Sequence, residues 1–570
     1  MKVFFLTICL LAASCGCDKK KKKENVLNVA LTSKVSSLDS ALSYDTVSAQ
    51  VVSQIYEPLF EYEYLIRPYT LKPLLAKEMP LITDNGLSYL IKLKEDVYYH
   101  PHQALSSKRK VKAQDFINQM KRLAYLPTQS NGWWIFSGKI KGLDEFRKAA
   151  KDLKDFENLK VEGLAALDDH TLQIKLTAPY PQLLYALAMS FAAPAPMELI
   201  KFYDNDFSQE PVGTGPFIFK KWEKNLSLAL EANPNYHQQT YPKTGDRFAY
   251  ENKLLKDAGK KLPFVKGVKF HIMKEAGPRM QNFLSRNIDL VTLTKDYFQM
   301  ALNHQGELSK EFKSQKIQLQ IAPTLTYWWL SFNMRDKILG KNLKLRQAIA
   351  HAVDNQKLIK LFTNNIGQKA NSIYPPGIPG YDPSAELPYE HNSAKAKALL
   401  KAAGYPEGKG LPVFNYDVRG SGAVSRQMGE FIKSELQKIG IEINVVINTF
   451  PGFLNKARTG QLQFWQGGWA MDYPDAENII QLLTTQNHPP GPNTAYYSNP
   501  KVDALYGKIM SAKKTEDQYS IMQKVEKEVN QELPWIMQYY SRNYVLYHQY
   551  VKNFRQSDLL YNTFKYIRLD

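Results

Sequence analysis

Cysteine is nearly absent from this chain. Its 570 residues include three cysteines, Cys9, Cys15 and Cys17, all within the first seventeen positions, so the body of the protein has neither disulfides nor thiol chemistry. A catalytic cysteine is excluded. Long apolar runs are also missing: Val3 to Ala13 is mostly apolar but only eleven residues long, short of the roughly 20 that cross a bilayer as a helix. Nothing repeats at a fixed period, which argues against solenoids and propellers, and no Gly/Ser linker divides the chain into independent modules. There is no Walker loop, G-x-S-x-G elbow or H-E-x-x-H. Gly213-Thr214-Gly215 has Ile218 where a dinucleotide loop needs a third glycine, and reads as a turn. His100-Pro101-His102 lacks further nearby ligands for a metal and is expected in a surface loop.

What is present is a large, basic, folded chain. The formal net charge is +19, but the lysines run along the whole length and their only tight cluster is Lys19 to Lys23, so nucleic acid is not an expected partner. A hydrophobic content of 44% with 23% charged residues suits a globular protein, and the length implies two to four domains. The 34 tyrosines would suit a ligand cleft, although a large core consumes them equally well, and the core reading ranks first.

Period-two alternation at Leu27, Val29 and Leu31, at Leu172, Ile174 and Leu176, at Leu226, Leu228 and Leu230, and at Val268, Phe270 and Ile272 predicts half-buried strands. The second half changes to helical spacing, at Leu345, Ala348, Ile349, Ala352 and Val353 and again at Val424, Met428, Phe431, Ile432 and Leu436. Gly440 stops that helix, and Ile441, Ile443, Val445 and Ile447 form a strand, an α/β unit. Tyr327 to Asn333 is strand-like and lies where the character shifts, so it is the expected crossing between lobes.

The most informative segment is Trp469-Ala470-Met471-Asp472-Tyr473-Pro474-Asp475, which sets a carboxylate among aromatics after a short strand-forming run; a buried acid there needs a cationic partner. An exposed turn carboxylate is the alternative. The segment resembles the Gly-Trp-x-x-Asp-Tyr-x-x-Pro signature of the peptide/nickel class of extracellular solute-binding proteins, the capture subunits of ATP-binding cassette importers. Ala476 replaces its last Pro. Further marks in family order are Ser37-Leu38-Asp39 with Tyr56 to Leu59, Leu93 to Val97 with Val111 to Phe116, Pro211 to Phe217, Leu330 to Asn333, and Leu345 to Asp354.

The resemblance implies an α/β fold of the two-lobed, type II periplasmic-binding-protein kind, with an inserted third domain and a hinge. The expected first lobe is 25–65 with 211–326 and 540–570, the insert 66–210, and the second lobe 327–539. It implies a receptor rather than an enzyme, one that captures short peptides and delivers them to importer permease subunits, working as a monomer. A non-peptide solute such as a nickel complex or sugar is the alternative, followed by a cell-envelope hydrolase using acids among Glu57, Asp472 and Asp475. Asp472 would bind the ligand's α-ammonium; Trp469, Tyr473 and Trp134 are the other expected ligand contacts, Tyr473 in part as a brace for Asp472, and Asn333 the expected hinge. No cofactor or resident metal is expected. Gln466 stands where some relatives carry an Arg for the ligand carboxylate, leaving Arg458 or a lysine as substitutes and predicting weak discrimination between free and amidated C-termini.

The start also resembles a bacterial lipoprotein signal, with residues 1–14 removed, Cys15 acylated and 15–24 forming a lysine-rich tether at the cell envelope. Cys17 is the second choice and a plain secretory signal the alternative.

Overall fold

The structure, a computed structural model, describes residues 25–570 apart from 44, 304, 364, 365, 490, 513 and 514. The signal, Cys15, Cys17 and the tether lie outside the described residues. Among those described, eleven strands form one continuous sheet. Its spatial order is Ile443–Ile447, Phe414–Val418, Phe464–Ala470, Ile317–Phe332, Trp535–His548, Leu290–Thr292, Val26–Leu31, Gly267–Ile272, Ser227–Ala232 and Phe217–Glu223, with Gln368–Lys369 pairing off this path. Two long antiparallel strands, Ile317–Phe332 and Trp535–His548, occupy the middle and belong to both lobes.

The two halves follow from the sequence patterns. Leu27, Val29 and Leu31 alternate with half-buried neighbours, and their strand pairs in parallel with Gly267–Ile272. On the other side, Val424 to Leu436 falls within the helix Ala423–Gln437, and Gly440 turns the chain with φ +91°, a left-handed value that glycine adopts without a Cβ penalty. The strand Ile443–Ile447 then runs parallel to Phe414–Val418. The helix Leu343–Ala352 begins on Asn342, whose side chain accepts from the Leu345 N–H. Its buried Arg346 donates to the carbonyls of Leu339, Gly340, Glu532 and Leu533, satisfying loop ends that would otherwise be desolvated.

A separate four-stranded antiparallel sheet, in the order Leu81–Thr83, Ser88–Lys92, Thr171–Lys175 and Leu164–Asp168, packs on the helix Ala113–Ala124. Two contacts tie this unit to distant segments of the chain. Arg122 and Asp39, both fully buried, form an ion pair at 2.6 Å; breaking such a pair from one side typically costs about 3–5 kcal/mol. The second contact corrects the surface reading of His100. That ring is buried, held between the carbonyl of Gly215 at 3.0 Å and the N–H of Gly213 at 3.4 Å, and burial pushes its pKa down to about 4. It pins the turn that leads into the strand Phe217–Glu223, and Gly213 lies so close to Ile55 that a Cβ would meet the Ile55 carbonyl oxygen at 2.1 Å. His102 is half-buried, its ring bonded to the Tyr203 hydroxyl at 2.8 Å.

Tyrosine goes mainly to the core, as ranked: Tyr64, Tyr241, Tyr327, Tyr497, Tyr540 and Tyr566 are among the largest fully buried side chains. The pairing of the two long strands breaks register between Pro323 and Tyr327. Tyr327 and Tyr540, where the expected lobe boundaries fall, pair directly beside that break. Asn333 lies just beyond the end of its strand, its amide donating to the Leu462 carbonyl at 2.9 Å.

Candidate functional site

The strand Phe464–Ala470 runs parallel to Phe414–Val418, and both point their carboxyl ends to one edge of the sheet. In open α/β sheets that edge is where ligands bind. Asp472 follows the first strand by two residues and Arg419 follows the second directly.

Asp472 is organised by Asn478. The Asn478 amide donates to the Asp472 carboxylate at 3.1 Å, while its carbonyl oxygen accepts from the Asp472 N–H at 3.2 Å and from the Trp469 indole at 3.0 Å. Burial pushes the Asp472 carboxyl above its ordinary range, and among the described residues it has no ion-pair partner. The cationic partner that the sequence demands is not supplied by any described residue.

Arg419 has the opposite deficit. It donates to the Gly468 carbonyl at 2.8 Å and lies 5.2 Å from the Trp328 ring centre, with Phe450 and Phe453 also close. It makes no carboxylate pair among the described residues, and burial pushes its pKa down to about 10. The Gly468 contact sets its guanidinium four residues before Asp472 in the chain. Arg458 ends an exposed helix turn, and Gln466 is buried against Met428 and Gln538.

Between the lobes lies a cavity of about 340 Å³ lined by Asp472, Trp134, Tyr62, Glu61, Asp558 and their neighbours. A second of about 630 Å³ shares Thr46, Ala470, Met471 and Asp558 with it; both are within the usual range of small-molecule sites. Of the residues singled out from sequence, Asp472 and Trp134 face the first cavity. Trp469 and Tyr473 stand behind it: Trp469 on Asn478, and Tyr473 donating to Glu477 at 2.6 Å. Tyr473 stacks on Tyr185 at 5.4 Å and Tyr185 on Tyr62 at 6.3 Å, so one column of rings joins three distant stretches of the chain. Trp133 packs into the insert's core with Arg147 over its ring.

Asp558, in the C-terminal segment, carried no signal in the sequence. Its Oδ2 accepts the Leu325 N–H at 2.7 Å. Burial pushes its pKa up to about 6 against the pull of Arg67, whose guanidinium is engaged by the carbonyls of Glu63, Tyr64, Ile66 and Gln556. A folded pKa above the ordinary 3.8 means that Asp558 contributes stability below about pH 4 and loses it as pH rises through about 6. The difference corresponds to roughly 3 kcal/mol. Ligand-free Asp558→Asn is therefore expected to unfold at higher temperature than wild type at pH 8, with the gain vanishing near pH 4; equal melting at pH 8 would contradict it.

A sheet shared by two lobes and an interlobe cleft holding a carboxylate without an ion-pair partner among the described residues suit a solute-binding protein of the type II periplasmic class. The chain belongs to the bacterial extracellular solute-binding proteins, family 5, whose middle-region model matches residues 70–490. It is 25% identical to heme-binding protein A of Haemophilus influenzae over 91% of this chain and 87% of that protein. Among solved structures it resembles HbpA2 from Haemophilus parasuis, with a TM-score of 0.77 and 23% identity over 96% and 100% of the two chains. It also resembles the periplasmic binding protein DppA from Helicobacter pylori in complex with the peptide STSA, with a TM-score of 0.73 and 23% identity over 95% and 98%.

Proposed function

We propose that this protein captures short peptides outside the cytoplasm and delivers them to an ATP-binding cassette importer, with the α-ammonium on Asp472 and the α-carboxylate on Arg419. One observation carries the reading: among the described residues, an acid without a cation and a base without a carboxylate stand at the same sheet edge. Such a pair complements a zwitterion and leaves both groups unmatched by a neutral sugar. The spacing of about four residues suits a ligand of two to four amino acids.

The lobes take the ranges expected from the sequence, 25–65 with 211–326 and 540–570, and 327–539, with 66–210 inserted. They close by bending at the register break between Pro323 and Tyr327, while Asn333 anchors the end of the strand. The column Tyr62, Tyr185 and Tyr473 holds the closed state. The receptor works as a monomer, tethered through an acylated Cys15. Cys15→Ser is expected to move the protein from the membrane fraction to the soluble fraction or to strand it as precursor; unchanged attachment would reassign the anchor to Cys17 or another element. Native mass spectrometry of freshly purified protein tests the ligand class. Bound masses resolving into short peptides support the reading, whereas a porphyrin, metal chelate or sugar would overturn it.

A further inference from the structure

The first cavity is negative although the protein is strongly basic. Its walls include Glu61, Asp472 and Asp558, and among the described residues no Lys, Arg or His. Glu61 is matched, by Lys565 at 2.9 Å and Lys72 at 3.3 Å. Asp472 has no ion-pair partner among the described residues, and Asp558 feels only the pull of Arg67, whose guanidinium is held by four carbonyls. A linear peptide has one α-ammonium, so once Asp472 is paired a second deeply set carboxylate remains to be neutralised. Leaving it charged and dry would be costly.

We propose that the preferred ligands are peptides with a basic side chain, and that Asp558 selects them by pairing with a lysine ammonium or arginine guanidinium. The inference rests on the peptide reading and adds the substrate class. The geometry supports two cationic positions in one ligand. The Leu325 N–H donates to Asp558 at 2.7 Å, and the Leu325 carbonyl accepts from Met471 at 2.9 Å, the residue before Asp472. The two acids thus flank one residue of the crossing strand, Asp558 from the C-terminal segment of the first lobe and Asp472 from the second. Trp134 adds a second feature: its ring lines the same cavity. A long basic side chain would lay its methylene stem along the Trp134 and Tyr62 rings and its charge on Asp558. A neutral side chain would leave Asp558 unpaired.

The test is calorimetry with trialanine peptides in which lysine, or its uncharged isostere norleucine, replaces each alanine in turn. At one position lysine is expected to bind at least about tenfold more tightly than norleucine, the lower end of what a desolvated pair supplies. Asp558→Asn, which keeps an acceptor for the Leu325 N–H, should abolish that difference; Asp472→Asn should weaken both peptides and preserve the difference. Equal binding of lysine and norleucine at every position in wild type would overturn the inference whether or not the variant folds. So would a lysine preference that survives Asp558→Asn. In both cases the peptide reading stands. If no peptide binds, or if cadaverine binds and peptides do not, the peptide reading itself falls, and this inference with it.

Discussion

Asp472→Asn is expected to weaken binding of an unmodified short peptide by roughly thirtyfold or more. The carboxylate is deeply set, hydrogen-bonded to Asn478 and without an internal cation, so a ligand ammonium would be its first charged partner. Removing one member of a desolvated pair typically costs about 2–5 kcal/mol, at about 1.4 kcal/mol per decade. Asn preserves the shape and the contact to Asn478 while removing the charge. N-acetylated peptides should bind wild type poorly and be indifferent to the substitution. Affinity for the free peptide should fall above about pH 8, as the α-ammonium loses its proton. It should also fall in acid as Asp472 takes one up, at a higher pH than for an exposed Asp because burial raises its pKa. Calorimetry across pH with both peptide forms reads all three effects.

Arg419→Gln should cause a loss of similar size, confined to peptides with a free C-terminus. The guanidinium is held by the Gly468 carbonyl and by Trp328, Phe450 and Phe453, which aim it without neutralising it. Amidated peptides should bind wild type and the variant equally weakly. This reverses the expectation of weak discrimination drawn from Gln466. A variant that loses affinity equally for free and amidated peptides would assign Arg419 to packing of the Gly468 strand instead.

What the sequence disclosed depended on whether the information is local. Alternation at Leu27, Val29 and Leu31 and helical spacing at Val424 to Leu436 are local, and the structure forms those elements in place. Asp472 stood out because a motif surrounds it. The residues that complete its surroundings do not stand out: Asp558 reaches the cleft, and Arg419 reaches Gly468, only when distant strands are assembled. His100 was misread for the same reason, because its partners at Gly213 and Gly215 are more than a hundred residues away. Trp469 and Tyr473 show the limit of reading aromatics around an acid as ligand contacts. Such rings equally well support it from behind, through Asn478 for Trp469 and through Glu477 and Tyr185 for Tyr473.

The proposed function requires a zwitterionic backbone held at both ends. The most direct test compares one short peptide, free at both termini, with the same peptide acetylated at one end and amidated at the other, by calorimetry on the ligand-stripped wild-type protein. With about 2–5 kcal/mol at stake at each end, the doubly blocked peptide should lose roughly a thousandfold in affinity or more. Equal affinity for the two would show that neither Asp472 nor Arg419 holds a peptide terminus, and would contradict the proposed function.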